Sequence, residues 1–158
     1  MTALLTDEIC QAVHKSVLCW FATVSDDGVP GVSPKEIFAV VDDLLIIANI
    51  KSPNSASNVA VNSNVCVAFV DIFVQKGFQV FGTANLVKST DAEFERLAAP
   101  LLEMTQGQFP FATVFEVTPT MVKEIVAPRY LLYPETTESD QISSALETYG
   151  ITGRHSIE

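Results

Sequence analysis

Three short segments of the 158-residue chain combine residue types that could do chemistry. The first is Ser33-Pro34-Lys35-Glu36, a serine, a proline and two opposite charges inside an otherwise apolar run. Unpaired charges are costly to bury. Such a segment suits either a ligand site or an edge strand whose charges face water.

The second runs Asn49-Ile50-Lys51-Ser52-Pro53-Asn54-Ser55-Ala56-Ser57-Asn58. An apolar strand enters a small-residue turn and then a helix start. Free N–H groups and serine hydroxyls would converge there on the positive end of a helix dipole, which suits a phosphate. Ordinary N-capping by Ser55 or Ser57 uses the same residues. No glycine-rich Walker pattern accompanies them. The third segment is Asp71-Ile72-Phe73-Val74-Gln75-Lys76-Gly77-Phe78. Phe73 and Phe78 could cover a flat ring and Lys76 could meet an anion, or the segment is a hairpin with core aromatics and a solvated lysine.

Other chemistries lack their residues. The three cysteines, Cys10, Cys19 and Cys66, are odd in number and widely spaced, which argues against a disulfide framework. The two histidines, His14 and His155, are far apart in sequence, and no zinc ligand set is expected. There is no G-x-S-x-G nucleophile turn. The formal net charge of −10 disfavours nucleic acid, whose affinity comes mostly from Lys and Arg contacts with phosphate. Apolar stretches fall short of the roughly 20 residues that span a bilayer, and early acids argue against a signal peptide, so a cytoplasmic protein with no membrane partner is expected. Charged residues make up only 18% of the chain against 48% apolar. An oligomer hiding an apolar face would explain that shortage of charge.

These segments need strands to position them. Residues 6–16 predict a short helix, with Thr6 as N-cap and Ile9, Val13 and Val17 as its apolar stripe. Residues 17–25 predict a strand that turns at Asp26-Asp27-Gly28. Residues 29–40 read as one return strand interrupted at Ser33-Pro34, where a proline calls for a bulge or an edge. Residues 44–50 read as a strand buried on both faces, and residues 52–64 as a loop entering a brief helix. Strands follow at 65–71 and 73–87, the second with bends or bulges at Gly77 and Gly82. Thr90-Asp91-Ala92-Glu93 matches a capping box for a helix reaching about Met104. Late strands at 113–118 and 121–127 and a helix over 139–149 complete the set. The whole predicts one mainly β domain over residues 1–158, an antiparallel barrel with a few flanking helices, in which 128–158 form a C-terminal extension.

Taken in order, the segments resemble the FMN-binding split barrels of the pyridoxamine 5′-phosphate oxidase-like family. The resemblance rests on Leu18-Cys19-Trp20-Phe21-Ala22-Thr23-Val24 before the Asp27-Gly28 turn, then Pro30-Gly31-Val32-Ser33-Pro34-Lys35-Glu36. It continues through Leu45-Ile46-Ile47-Ala48-Asn49, Ser55-Ala56-Ser57-Asn58-Val59, Val65-Cys66-Val67-Ala68-Phe69-Val70, Lys76-Gly77-Phe78 and Gly82-Thr83-Ala84. It covers roughly residues 8–125. It implies a Greek-key split barrel, a homodimer, and FMN at the subunit interface. Ser33, Pro34, Lys35 and Glu36 would run beside the isoalloxazine ring, and Asn49, Ile50, Lys51 and Ser52 would pass the ring and ribityl chain. Asn54, Ser55 and Asn58 would form the phosphate turn, with Gln75 and Lys76 near the same ligand, from either subunit.

The sequence departs from the family pattern in that turn. Many members carry Lys or Arg near the position of Asn54 or Ser55, and here both are neutral. Lys51, Lys76, Lys35 or Arg129 would have to compensate. The C-terminal Gly153-Arg154-His155-Ser156 is a poor match to the basic substrate-binding residues of the true oxidases, so pyridoxamine phosphate is not assigned as substrate. The implied function is a flavin-dependent oxidoreductase in which no side-chain acid or base is obligatory. The alternatives are a non-catalytic FMN-binding or electron-transfer protein, and a dimeric barrel that binds a different small molecule.

Overall fold

The computed structural model describes residues 4–151, so Gly153-Arg154-His155-Ser156 lies outside the described residues. Helix α1 (Asp7–Lys15) starts where the sequence places it: the Thr6 hydroxyl accepts from the Ile9 N–H, and Asp7 and Glu8 occupy the first turn. Strands β1 (Cys19–Val24) and β2 (Pro30–Lys35) form the first hairpin. Strands β3 (Phe38–Val41) and β4 (Leu44–Ala48) form the second. Helix α2 (Pro53–Val61) leads to β5 (Asn64–Asp71) and β6 (Lys76–Lys88). Helix α3 (Phe94–Thr105), strand β7 (Thr113–Val126) and helices α4 (Pro128–Leu132) and α5 (Glu138–Thr148) follow.

The seven strands make one antiparallel sheet in the order β2-β1-β5-β6-β7-β4-β3. β2 and β3 are thus its opposite edges, yet only Glu36 and Ile37 separate them in the chain. That link can span roughly 10 Å at full extension. The sheet must therefore curl until its edges approach, which gives the half-barrel. The single return strand expected over residues 29–40 is two strands, and the break falls at Glu36-Ile37 rather than at Ser33-Pro34. Pro34 stays inside β2 because β2 is an edge and needs no ladder donor on its free side.

Side-chain alternation then sorts the core. Cys19 and Phe21 of β1, Leu45 and Ile47 of β4, Val65, Val67 and Phe69 of β5, and Phe115 and Val117 of β7 point inward. Ile9 and Val13 of α1 pack against this cluster. On the other side of β4, Ile46 and Ala48 meet Phe94, Leu97, Ala98 and Leu101 of α3. The strand is buried on both faces, as its unbroken apolar run predicts.

Two glycines permit close strand approach. A Cβ on Gly77 would lie 1.9 Å from the Phe69 carbonyl oxygen, and one on Gly82 would lie 2.2 Å from that of Thr118. The β6–β7 register shifts between Phe81 and Gly82. The two late strands expected here are one strand, bent at this bulge.

Two local expectations change. The 73–87 strand begins at Lys76, because the Asp71 carboxylate accepts from the Phe73 and Val74 N–H groups and holds a turn. Thr90 caps nothing: Glu93 is the N-cap of α3 in helical conformation, without a side-chain bond. The carboxylate of Asp91 instead accepts from the Lys88 N–H. A capping box does form at α5, between Thr137 and Asp140.

Candidate functional site

A shallow groove of about 270 Å³ lies where the β1–β2 hairpin meets the start of α2. Thr23 of β1 and Gly31, Val32 and Ser33 of β2 form one wall. Lys51, Ser52, Pro53, Asn54, Ser55 and Asn58 form the other. The hairpin register places Thr23 opposite Gly31 on the inward face. The Asn58 amide then donates to the Thr23 hydroxyl at 2.9 Å and ties α2 to the hairpin.

The start of α2 is open. Ser52 is its N-cap but makes no capping bond, so no side chain covers the first-turn N–H groups. The expected capping by Ser55 or Ser57 does not occur, since the helix begins earlier, with Pro53 at its first position. The Ser52 hydroxyl is engaged elsewhere: it accepts from Lys35 Nζ and donates to the Ile50 carbonyl at 3.2 Å.

Lys35 is buried, its Nζ 5.7 Å from the centroid of the Phe115 ring. Burial holds its ammonium below the ordinary lysine range. Cys19 faces it across the β1–β2 ladder, and burial pushes that thiol up to about 12 despite the nearby cation. Cys19 is therefore a neutral core thiol, not a nucleophile. Asn49 precedes the groove, its amide donating to the Thr113 hydroxyl at 2.9 Å. Its Oδ1 is buried without a partner among the described residues.

Of the residues singled out in the sequence, Ser33, Lys51, Ser52, Asn54, Ser55 and Asn58 converge on this groove. Lys35 stands behind Ser52, and Asn49 and Ile50 lead into it. Pro34 and Glu36 are exposed on β2 and on the link that follows it. Gln75 and Lys76 are not brought to the groove within one chain. Val65, beside Thr23 in the sheet, pairs with Gly82, and Lys76 lies six positions further along β6, roughly 20 Å away. There Lys76 Nζ binds the Glu138 carboxylate at 2.8 Å and stacks on Tyr130. Arg129 follows β7 at the same far end. Thr23, Gly31 and Thr113 escaped the sequence reading as site residues. Thr23 had left one signal, a polar side chain in an inward-facing alternation otherwise held by Cys19 and Phe21.

A curled antiparallel half-barrel with a groove at a strand–helix junction defines a class, and the comparisons agree with it. The family model for pyridoxamine 5′-phosphate oxidase matches residues 5–126, and the chain belongs to that family. No curated protein sequence matches the chain. Among solved structures, a candidate pyridoxamine 5′-phosphate oxidase from Lactobacillus delbrueckii is 25% identical. The match covers 77% of this chain and 95% of that one, with a TM-score of 0.65. An FMN-binding protein from Syntrophomonas wolfei is 13% identical over 77% and 85% of the two chains, with a TM-score of 0.64. HutZ, a haem storage protein from Vibrio cholerae, is 20% identical over 77% and 94%, with a TM-score of 0.62. At these identities the last two establish the shared fold alone. Residues 127–158 lie beyond the family match.

Proposed function

We propose that the chain binds FMN and works as a homodimeric, flavin-dependent oxidoreductase of this family. The observation that carries the reading is the charge of the groove. The protein has 19 acidic residues against 9 basic ones. Yet no carboxylate lines the groove, which combines Lys51, three serines and an uncapped helix start. That donor set fits the phosphate of FMN. Ser52 and Asn54 would hold the phosphate end, and Val32 and Ser33 would flank the ring. When bound, the flavin supplies the hydride or electron transfer, and the chain supplies orientation and exclusion of water.

A second copy completes the site in this reading. At about 270 Å³ the groove is smaller than the roughly 300–1,000 Å³ usual for small-molecule pockets, so it would hold only part of such a ligand. It opens beside Val32, which also belongs to an apolar row on the outer sheet face. The register aligns Val32, Ala22, Cys66, Phe81 and Met121 across five strands. Trp20, 46% exposed, stands in the neighbouring row. An apolar sheet face of this extent suits burial against a partner. The three cysteines are free, in keeping with a reducing, cytoplasmic setting.

The shallowness of the groove also favours a second reading, a non-catalytic FMN carrier with an open flavin edge. A haem role draws no support from the groove, since His14, the one histidine among the described residues, is exposed on α1. The test is titration of the purified protein with FMN, followed by flavin fluorescence, and then anaerobic addition of NAD(P)H. Quenching and bleaching of the visible flavin band are expected. Binding without reduction by any donor selects the carrier. Absence of quenching at tens of micromolar FMN removes the flavin reading.

A further inference from the structure

Lys35 is 5% exposed, and no carboxylate lies within ion-pair distance of it among the described residues. An ammonium can donate three hydrogen bonds. Within the described chain Lys35 makes one, to the Ser52 hydroxyl. The elements packed against it bring no compensating charge. β1 offers the Cys19 thiol, neutral at ordinary pH, and β7 offers the ring face of Phe115. The exposed Lys51, beside Ser52, is itself a cation.

An unpaired cation in a poorly solvated site is strongly stabilised by an anion that comes within reach. Ser52 is the route by which such an anion would be felt. The residue lines the groove and its hydroxyl accepts from Lys35, so an anion there would take the single Ser52 proton now donated to the Ile50 carbonyl and meet Lys35 through the same oxygen. The first turn of α2, which no side chain caps, begins at the same residue and contributes Pro53, Asn54 and Ser55 to the groove lining. Within one chain the other cations that could neutralise a phosphate here are poorly placed. Lys76 is engaged by Glu138, Arg129 is at the far end of the sheet, and Lys51 is exposed to screening.

We infer that Lys35, acting through Ser52, is the specificity-determining residue that makes the groove prefer a phosphate monoester dianion over the same ligand without its phosphate. This rests on the flavin reading for the identity of the ligand but not for the anion site itself. A buried cation takes the place of the surface Lys or Arg absent at Asn54 and Ser55. The preference then depends on the lysine being protonated, so it weakens as pH rises through the range where Lys35 loses its proton, which burial has lowered.

The experiment compares dissociation constants for FMN and riboflavin, by fluorescence quenching, in the wild type, Lys35→Met and Ser52→Ala at pH 7 and pH 10. Lys35→Met is expected to weaken FMN roughly ten- to hundredfold, the range of a charged hydrogen bond, with riboflavin nearly unchanged. Ser52→Ala, which keeps the lysine, is expected to lose part of the preference. The wild-type preference shrinks at pH 10, and that of Lys35→Met is the same at both pH values. Equal losses for the two ligands, or an undiminished preference in both variants, would overturn the assignment. If the wild type binds neither flavin, phosphorus NMR with inorganic phosphate decides separately. Line broadening by the wild type and not by Lys35→Met upholds the anion site, and any other pattern refutes it.

Discussion

The residue with the most consequences is Lys35. Its buried ammonium destabilises the ligand-free fold, because the unfolded chain holds the proton more readily than the folded one. Between the lowered folded value and the ordinary lysine value the unfolded state binds more protons, so this contribution to stability rises with pH. Lys35→Met should therefore raise the urea midpoint of the ligand-free protein at pH 7, by about 1–2 kcal/mol of stability. The gain should shrink as pH approaches 10. A midpoint that falls at pH 7 would show that the Ser52 bond outweighs desolvation. Cys19 works in the opposite sense above pH 9, where its raised thiol favours the unfolded state. Thr23 offers a cleaner test of geometry. Thr23→Val keeps shape but removes the acceptor for Asn58, and a loss of about 1 kcal/mol is expected in thermal unfolding. Much of this site could be read from the sequence, because serine, asparagine and lysine are conspicuous between apolar strands. Gly31 could not, since its part depends on a hairpin register that brings it opposite Thr23, whose own sequence signal was only its polar type in an inward-facing alternation.

At the scale of elements, strand periodicity was the informative signal. The two-faced burial of β4 follows from its unbroken run of apolar residues, and the α1 cap from Thr6 with the acids behind it. What the sequence hides is where a continuous pattern changes partner. Residues 29–40 alternate well enough for one strand, yet the chain passes from one sheet edge to the other at Glu36-Ile37. That step is visible only once the curl of the whole sheet is known. The Thr90 capping pattern is not used: α3 begins after Glu93, and the neighbouring Asp91 carboxylate accepts from the Lys88 N–H. Gly82 was singled out correctly as a bend. A Cβ there meets a backbone carbonyl, which cannot swing aside as a side chain could. Gly82→Ala should cost about 2–3 kcal/mol in chemical denaturation, the upper part of the range for overpacking. A loss below half that would mean the bulge opens freely.

At the scale of the molecule, the shortage of charge and the outer apolar row are two views of one feature. Adjacent strands lie about 4.8 Å apart, so five aligned side chains make a band close to 20 Å long. The net charge of −10 opposes the approach of two copies. In the proposed homodimer, association should therefore strengthen as salt rises toward physiological ionic strength, where screening acts within about 8 Å. Trp20→Glu combined with Met121→Glu places acids on residues already 46% and 42% exposed, so the fold of one chain should survive. Sedimentation should then show monomers. Because the groove opens beside Val32 onto this face, the same variant should weaken FMN and riboflavin together, since what is lost is the cover of the ring. That common loss is the opposite of the phosphate-specific loss expected at Lys35. A dimer that persists in the double variant would place the contact elsewhere. A monomer that still binds both flavins with undiminished affinity would show that one chain holds the ligand alone.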